Sequence, residues 1–324
     1  MKKDSYLSKE TSTCLKGISA IVVVLHHLYQ YTDITKGTPI GDFLGASGAL
    51  AVAVFLFFSG YGLMLSSKKE GYLQHFFSRR FLPLYCFHSI LIVLFVLWTY
   101  LLGQSIAPTR IVQSFFFGET VITNGWYLQA TFVLYLVYWV VFSAIKSPKK
   151  QIFAMFLFAL LYCVFCNRIG LGNWWYQTMP CMVLGMIWAY KKEEIDTLLN
   201  NHAQIAFLVS SGSFTALYIL HHYVFGHIAF IMLYCLCFVC GVMTLSYLLA
   251  NTKLINNPFF KLCGNYSLEI YVSHSFFLRL IRLNIITDKY LYIAAVFAGT
   301  AFVSFALKLL YEKAIPLLFR KKTS

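Results

Sequence analysis

The feature that most constrains the fold is a series of long apolar stretches that contain no Asp, Glu, Lys or Arg. A helix needs about 20 apolar residues to cross a bilayer core about 30 Å thick. The stretch 197–252 is too long for one such helix and predicts two, with a turn near His221. Segment 265–283 is also apolar, although it carries Glu269 and Arg279. The sequence therefore predicts an all-α fold, a polytopic transmembrane bundle of about ten helices, drawn from residues 17–32, 43–67, 81–109, 120–145, 151–167, 169–190, 197–252, 265–283 and 290–307.

The charged residues lie mostly between the apolar stretches and indicate which side of the membrane each connection faces. They make up 12% of the chain, against about 25% in typical soluble domains. With ten spans and a cytoplasmic N-terminus, 20 Lys and Arg fall in inner segments and 6 in outer ones. This asymmetry follows the positive-inside rule, so both termini are predicted to be cytoplasmic. Because the cations are spread over several short segments, nucleic-acid binding through a soluble basic face is not expected.

The connections between the apolar stretches are short, so we expect one integral-membrane domain over residues 1–324 and no soluble C-terminal domain. The polar N-terminus has no signal-peptide pattern, which predicts that the first helix is retained as an anchor. Low acidic content and Lys-rich loops fit a multi-pass protein of a bacterial inner membrane. The sequence does not indicate an oligomeric state.

Two cysteine pairs have the spacing of metal or redox sites, Cys163 with Cys166 and Cys237 with Cys240. Both pairs lie in apolar segments without His or acidic neighbours. This context favours small buried side chains over zinc or redox chemistry. We therefore expect no metal.

The first helix carries an interfacial cation and two adjacent histidines. Lys16 and His27 are eleven residues apart, which places them on one helix face with His27 about 16 Å deeper, near the middle of the bilayer. His26 lies about 80° away around the helix. A membrane histidine is often only a packing residue that forms a hydrogen bond. The aligned cation and the histidine pair favour a catalytic or proton-handling role for His27.

The second polar site is the pair Arg79 and Arg80, at the cytoplasmic start of the third predicted helix. Such a pair can simply mark an inner connection. Alternatively, guanidinium groups bind phosphates bidentately, so the pair is a candidate phosphate clamp.

The third site is the segment 267–274. Ser267, Tyr271 and His274 have the i, i+4, i+7 spacing of one helix face, and Glu269 points elsewhere. A buried carboxylate needs a cationic partner or must be protonated. Lys16 and the two arginines are the predicted candidates for that partner. A polar packing seam between helices is the alternative to a functional cluster.

The fourth site lies where a helix re-enters from the predicted outer side, at residues 124–129. Trp126 and Tyr127 suit an interfacial aromatic belt. They also suit a gate or a stacking platform for an acceptor sugar.

Taken together, these segments resemble the acyltransferase-3 family of bacterial integral-membrane O-acyltransferases. The family's first motif, a cation separated from a His by ten intervening residues, is similar to Lys16 and His27. Its Phe-rich Ser-Gly element, its Arg-x-x-Pro motif and two later blocks resemble the segments 55–61, 80–85, 126–128 and 267–274. The order of the blocks is kept over nearly the whole chain. The cation here is Lys rather than the commoner Arg, and the SGNH-type esterase domain of some relatives is not expected.

The resemblance implies an O-acetyltransferase that moves an acyl group from cytoplasmic acetyl-CoA to a hydroxyl of a cell-envelope or exported glycan, or of a lipid-linked sugar. It implies His27 as base or acyl carrier and places the other predicted residues around it. His274 and Glu269 complete the catalytic set, Lys16, Arg79 and Arg80 bind the donor, and Trp126, Tyr127 and Tyr271 contact the acceptor. The alternative is a non-enzymatic exporter or flippase of a polysaccharide or lipid-linked sugar. The acceptor and the acyl group, acetyl or succinyl, stay open.

Overall fold

The computed structural model describes residues 6–32, 34–250 and 252–315, and the regular structure in these ranges is entirely helical. Short π-helical turns extend three of the helices, at Phe77–Phe81, His221–Phe225 and Leu310–Ala314. The helices are α1 (Lys9–Thr32), α2 (Pro39–Ser66), α3 (Leu82–Leu101), α4 (Pro108–Phe115), α5 (Trp126–Ala144), α6 (Pro148–Arg168), α7 (Pro180–Tyr190), α8 (Lys192–Leu220), α9 (Ile228–Leu248), α10 (Pro258–Asn265), α11 (Ser267–Phe277), α12 (Arg279–Arg282) and α13 (Lys289–Leu309).

Eight helical segments in the described ranges are long and apolar enough to cross a membrane: Lys9–Thr32, Pro39–Ser66, Phe77–Leu101, Trp126–Ala144, Pro148–Arg168, Lys192–Phe225, Ile228–Leu248 and Lys289–Lys313. This confirms the prediction of an all-α polytopic membrane protein. The terminal residues 1–5 and 316–324 lie outside the described residues, and the cytoplasmic placement of both termini stays a prediction.

The other two predicted spans, 169–190 and 265–283, are not single continuous helices. In the first, Gly170 adopts a left-handed backbone conformation with φ of 76°, and α7 starts only at Pro180. Glycine tolerates positive φ and proline favours the first turn of a helix, which explains the interruption. The second segment is divided among α10, α11 and α12.

The chain divides into two compact units, which are described separately. The first comprises Met1–His26, Gly37–Glu70 and Ile145–Ser267. Within it, α2 packs along α7 at very short range because glycines occupy the contact. A Cβ added at Gly60 would lie 1.9 Å from the carbonyl oxygen of Met182. Small residues of this kind let helix backbones approach closely where lipid supplies no hydrophobic driving force.

Gly185 of α7 provides a direct test of this packing. A Cβ added there would lie 2.1 Å from the carbonyl oxygen of Phe57, so the backbones must separate to accept it. We expect Gly185→Ala to lower the free energy of unfolding by about 1–3 kcal/mol. The matched control is Gly212→Ala in α8, where nothing lies within 4 Å of an added Cβ. Thermal melting of the purified variants measures both changes in stability. Equal melting temperatures for Gly185→Ala and Gly212→Ala would contradict close packing of α7 on α2.

The second unit comprises His27–Lys36, Gly71–Ala144 and Leu268–Ser324. Its central element is α11, which α3 contacts on one side. Trp98 Nε1 donates a hydrogen bond of 2.8 Å to the carbonyl oxygen of Phe276, and the rings of Phe95 and Phe276 lie 4.9 Å apart. On α13, the hydroxyl of Ser304 lies 2.8 Å from that of Ser273. These contacts hold α11 in a fixed position, and the candidate site is built on it.

Candidate functional site

The polar side chains of α11 that belong to the second unit are buried. His274 and Ser273 have no exposed surface, Glu269 is 1% exposed and Tyr271 is 3% exposed. Buried polar groups are costly unless they are paired. The partners of these side chains therefore define what each of them can do.

Both ring nitrogens of His274 take part in hydrogen bonds. Nδ1 lies 3.0 Å from the carbonyl oxygen of Ile270, which can only accept, so Nδ1 carries the proton. Nε2 lies 2.8 Å from Asn124 Nδ2, which donates to it. This pattern corresponds to the neutral Nδ1–H tautomer of His274, in which the lone pair on Nε2 accepts the hydrogen bond from Asn124. His274 is therefore suited to positioning its neighbours rather than to accepting a proton.

His27 stacks on His274, with ring centroids 5.2 Å apart and planes inclined by 23°. The Nδ1 atom of His27 lies 2.9 Å from Gln30 Oε1. Since an amide oxygen accepts, Nδ1 donates and the lone pair of the neutral ring is on Nε2. His27 is half-buried, whereas His274 is fully buried. Of the two stacked histidines, His27 is the one suited to proton transfer or acyl transfer.

His26, the neighbour of His27 in sequence, belongs to the first unit and has a packing role there. Its Nδ1 donates to the carbonyl oxygen of Leu44 at 2.8 Å. A Cβ added at Gly48 would lie 2.5 Å from the His26 ring, so the imidazole packs closely against α2. The two adjacent histidines therefore have different environments.

Asn124 links the histidines to the predicted aromatic residues. Its backbone carbonyl oxygen accepts a hydrogen bond of 3.3 Å from the Tyr271 hydroxyl. The Tyr271 ring lies 5.1 Å from that of Tyr127, which in turn lies 6.0 Å from that of Trp126. Asn124 belongs to the predicted segment 124–129 but was given no role, and Gln30 was not predicted. For Asn124, the Asn-Gly pair just before a predicted helix was the available signal, since it predicts a turn that fixes the side chain.

The buried carboxylate of Glu269 pairs with Lys308 of α13. Glu269 Oε1 lies 3.6 Å from Lys308 Nζ, which also lies 3.2 Å from Glu312 Oε1. The prediction that Lys16, Arg79 or Arg80 supplies this partner is therefore wrong. The physical reason is that α13 packs against α11, where Ser304 contacts Ser273, and carries Lys308 to within 3.6 Å of Glu269.

The predicted donor-binding cations are placed as follows. Arg79 and Arg80 lie on the exposed π-helical turn Phe77–Phe81 that leads into α3. Arg80 Nη2 donates to the hydroxyl of Tyr135 at 3.4 Å, and its guanidinium carbon lies 5.7 Å from that ring centroid. Such π turns occur often at functional sites. Lys16 is half-buried in the first unit, and its position relative to the second unit stays a prediction.

Comparison with known proteins decides the family. A family model described as an acyltransferase domain matches residues 12–309, which is nearly the whole chain. The chain belongs to the acyltransferase-3 family. No curated protein and no solved structure matched the chain. With eight candidate spans among the residues that the structure describes, the chain is a multi-pass membrane acyltransferase.

All nine predicted site residues of the acyltransferase lie inside the matched range and among the described residues. Four of them form one contiguous group of rings in the second unit: His27, His274, Tyr271 and Tyr127. Trp126 contacts this group at its edge, and Glu269 lies five residues before His274 on α11. The roles assigned to all nine residues stay predictions.

Proposed function

We propose that the protein is an O-acetyltransferase of the bacterial inner membrane. It moves the acetyl group of cytoplasmic acetyl-CoA to a hydroxyl of a cell-envelope or exported glycan. The observation that carries this proposal is the half-buried His27, whose Nδ1 is bonded to Gln30 and whose face stacks on His274. Because Nδ1 is bonded to Gln30, Nε2 is the ring nitrogen that would accept a proton in catalysis.

The reaction follows from the chemistry of the thioester. Nε2 of His27 takes the proton of the acceptor hydroxyl as the oxygen attacks the acetyl carbon. The new C–O bond forms, the C–S bond breaks, and the proton passes from His27 to the departing thiolate. The products are the O-acetyl ester and free CoA thiol, so no oxidant, reductant or metal is required. The alternative order, in which His27 first carries the acetyl group, gives the same products.

His274 and Asn124 support this step by position. Because both nitrogens of His274 are bonded, its ring cannot turn without breaking a buried hydrogen bond. A fixed ring gives His27 a rigid stacking surface. Precise placement of a catalytic base over its substrate is a large part of enzymatic rate acceleration.

The donor carries several phosphates and needs cations where it binds. Arg79 and Arg80 fit that need because they are exposed and Arg80 is held against Tyr135. Guanidinium groups bind phosphate oxygens in a bidentate geometry.

We expect Arg80→Gln to raise KM for acetyl-CoA by about tenfold or more, since one charge-assisted phosphate contact is lost. The value of kcat at saturating donor should change much less. Lys149→Gln, which removes an exposed cation at the start of α6, is the control and should leave KM unchanged. Steady-state kinetics of CoA release measures both. An unchanged KM for Arg80→Gln would remove this residue from the donor site.

The activity itself is tested with purified protein, acetyl-CoA and surface glycan isolated from a strain that lacks the gene for this protein. An acetyltransferase releases CoA thiol in proportion to the O-acetyl esters formed. An exporter or flippase consumes no acetyl-CoA, and that result would favour the alternative function.

A further inference from the structure

A group of arginines lies one helical turn beyond the stacked histidines. Tyr31 follows His27 by four residues, so both side chains are on one face of α1, about 6 Å apart along the helix. His274 stacks on His27, and eight residues later the guanidinium carbon of Arg282 lies 4.4 Å from the centroid of the Tyr31 ring. The segment α11–α12 therefore runs alongside the C-terminal end of α1. It places the Arg282 guanidinium one helical turn beyond the His27 ring. Arg282 is exposed.

A second arginine, Arg279, is held rigidly beside it on α12. Its Nη1 donates to the hydroxyl of Thr99 at 2.8 Å, and its Nη2 donates to the carbonyl oxygen of Val121 at 3.2 Å. The guanidinium carbon also lies 4.8 Å from the centroid of the Phe95 ring. These contacts are with neutral groups, so they fix the guanidinium without neutralising its charge.

A third arginine contacts the same loop. Arg110 Nε donates to the carbonyl oxygen of Thr120 at 2.8 Å, next to the Val121 carbonyl that binds Arg279. The loop continues directly to Asn124, the partner of His274. The arginines and the stacked histidines are therefore parts of one connected structure in the second unit.

The charge of this group is poorly compensated. Among the described residues, no carboxylate lies within 4.0 Å of Arg279 or Arg282, and Arg110 has only the exposed Glu119 at 4.0 Å. All three arginines belong to segments predicted to face outside, where the positive-inside rule predicts few cations. Arg279 is half-buried without a carboxylate partner, which is costly, and the exposed Arg282 adds a second positive charge beside it. This concentration of charge indicates that the group serves an anionic ligand.

We propose that Arg282, with Arg279 and Arg110, forms a subsite for an acidic group of the acceptor, so that the acceptor is an acidic glycan. The carboxylate or phosphate of the glycan binds Arg282 directly, about one helical turn from the hydroxyl that is acylated at His27. This inference rests on the proposed function, because it assigns the acceptor of that same site.

The test measures binding rather than turnover. The full-length protein in dodecyl maltoside is titrated with a fluorescent tetrasaccharide of alternating glucuronate and N-acetylglucosamine. The neutral comparison is the same tetrasaccharide with its carboxyl groups reduced to alcohols. We expect the acidic probe to bind about tenfold more tightly than the neutral one. Arg282→Gln should abolish this preference, whereas Lys289→Gln, which removes a nearby exposed cation, should keep it.

Equal affinity for the two probes, or a preference that survives Arg282→Gln, would overturn the proposal. A further arm adds phosphatidylglycerol to the micelles. If this lipid abolishes the preference of the wild-type protein, the arginines bind lipid phosphate and the proposal fails. A melting temperature of Arg282→Gln equal to that of the wild-type protein shows that the variant is folded. His27→Gln should keep the preference while losing acyl transfer, so this inference and the proposed function fail separately.

Discussion

His27→Gln is expected to reduce acyl transfer by about 10²–10⁴-fold, the usual contribution of a general base. Glutamine keeps a polar side chain of similar reach but cannot take a proton at neutral pH. The stack on His274 and the hydrogen bond with Gln30 hold the imidazole in position. His274 is not expected to replace it, because both of its ring nitrogens already take part in hydrogen bonds. The measurement is the initial rate of CoA thiol release with acceptor present, at equal protein concentration.

The adjacent histidine supplies the matched control for this substitution. His26 donates to the Leu44 carbonyl, and the amide of glutamine can donate in its place. His26→Gln should therefore retain activity within about tenfold of the wild-type protein, since only packing is changed. If the two variants lose activity equally, proton transfer cannot be assigned to His27 in particular.

Asn124→Leu is expected to have the second largest effect, because it leaves Nε2 of the fully buried His274 without its donor. An unsatisfied buried acceptor costs about 1–3 kcal/mol of folding free energy. The ring is then free to move under His27, so kcat should fall by about tenfold or more while KM for acetyl-CoA is unchanged. Thermal melting and steady-state kinetics measure the two effects.

Asn167→Leu is the control for Asn124→Leu. Asn167 Nδ2 also donates a hydrogen bond, of 3.0 Å to the Tyr176 hydroxyl, but in the first unit. Loss of the Asn167–Tyr176 hydrogen bond should leave kcat unchanged. A normal kcat for Asn124→Leu would show that Asn124 does not position the stacked histidines.

Much of the fold was predictable from the sequence because lipid imposes simple rules. Apolar stretches of sufficient length must be helices, since no other single segment satisfies its backbone hydrogen bonds in a bilayer. The eight long helices in the described ranges follow from this rule. The two interrupted segments were not recognised as interrupted, because hydropathy measures the apolar character of a segment and not whether its helix is continuous.

The candidate site was predictable only in part. His27 and His274 stood out because ionisable residues are rare in apolar segments. The partner of Glu269 was not predictable, since Lys308 is 39 residues later and only the packing of α13 on α11 brings the two charges within 3.6 Å. Asn124 carries no charge. The Asn-Gly pair indicates a turn at this position, but only the distance of 2.8 Å to His274 Nε2 shows which group its side chain contacts.

The central claim is that this chain transfers an acetyl group from CoA to a glycan hydroxyl through His27. It is tested most directly with acetyl-CoA that carries a deuterated acetyl group, purified wild-type or His27→Gln protein, and surface glycan from a deletion strain. Mass spectrometry should find deuterated O-acetyl esters on the glycan with the wild-type protein and none above background with His27→Gln. Equal labelling by the two proteins, or no labelling by the wild-type protein, would contradict the account.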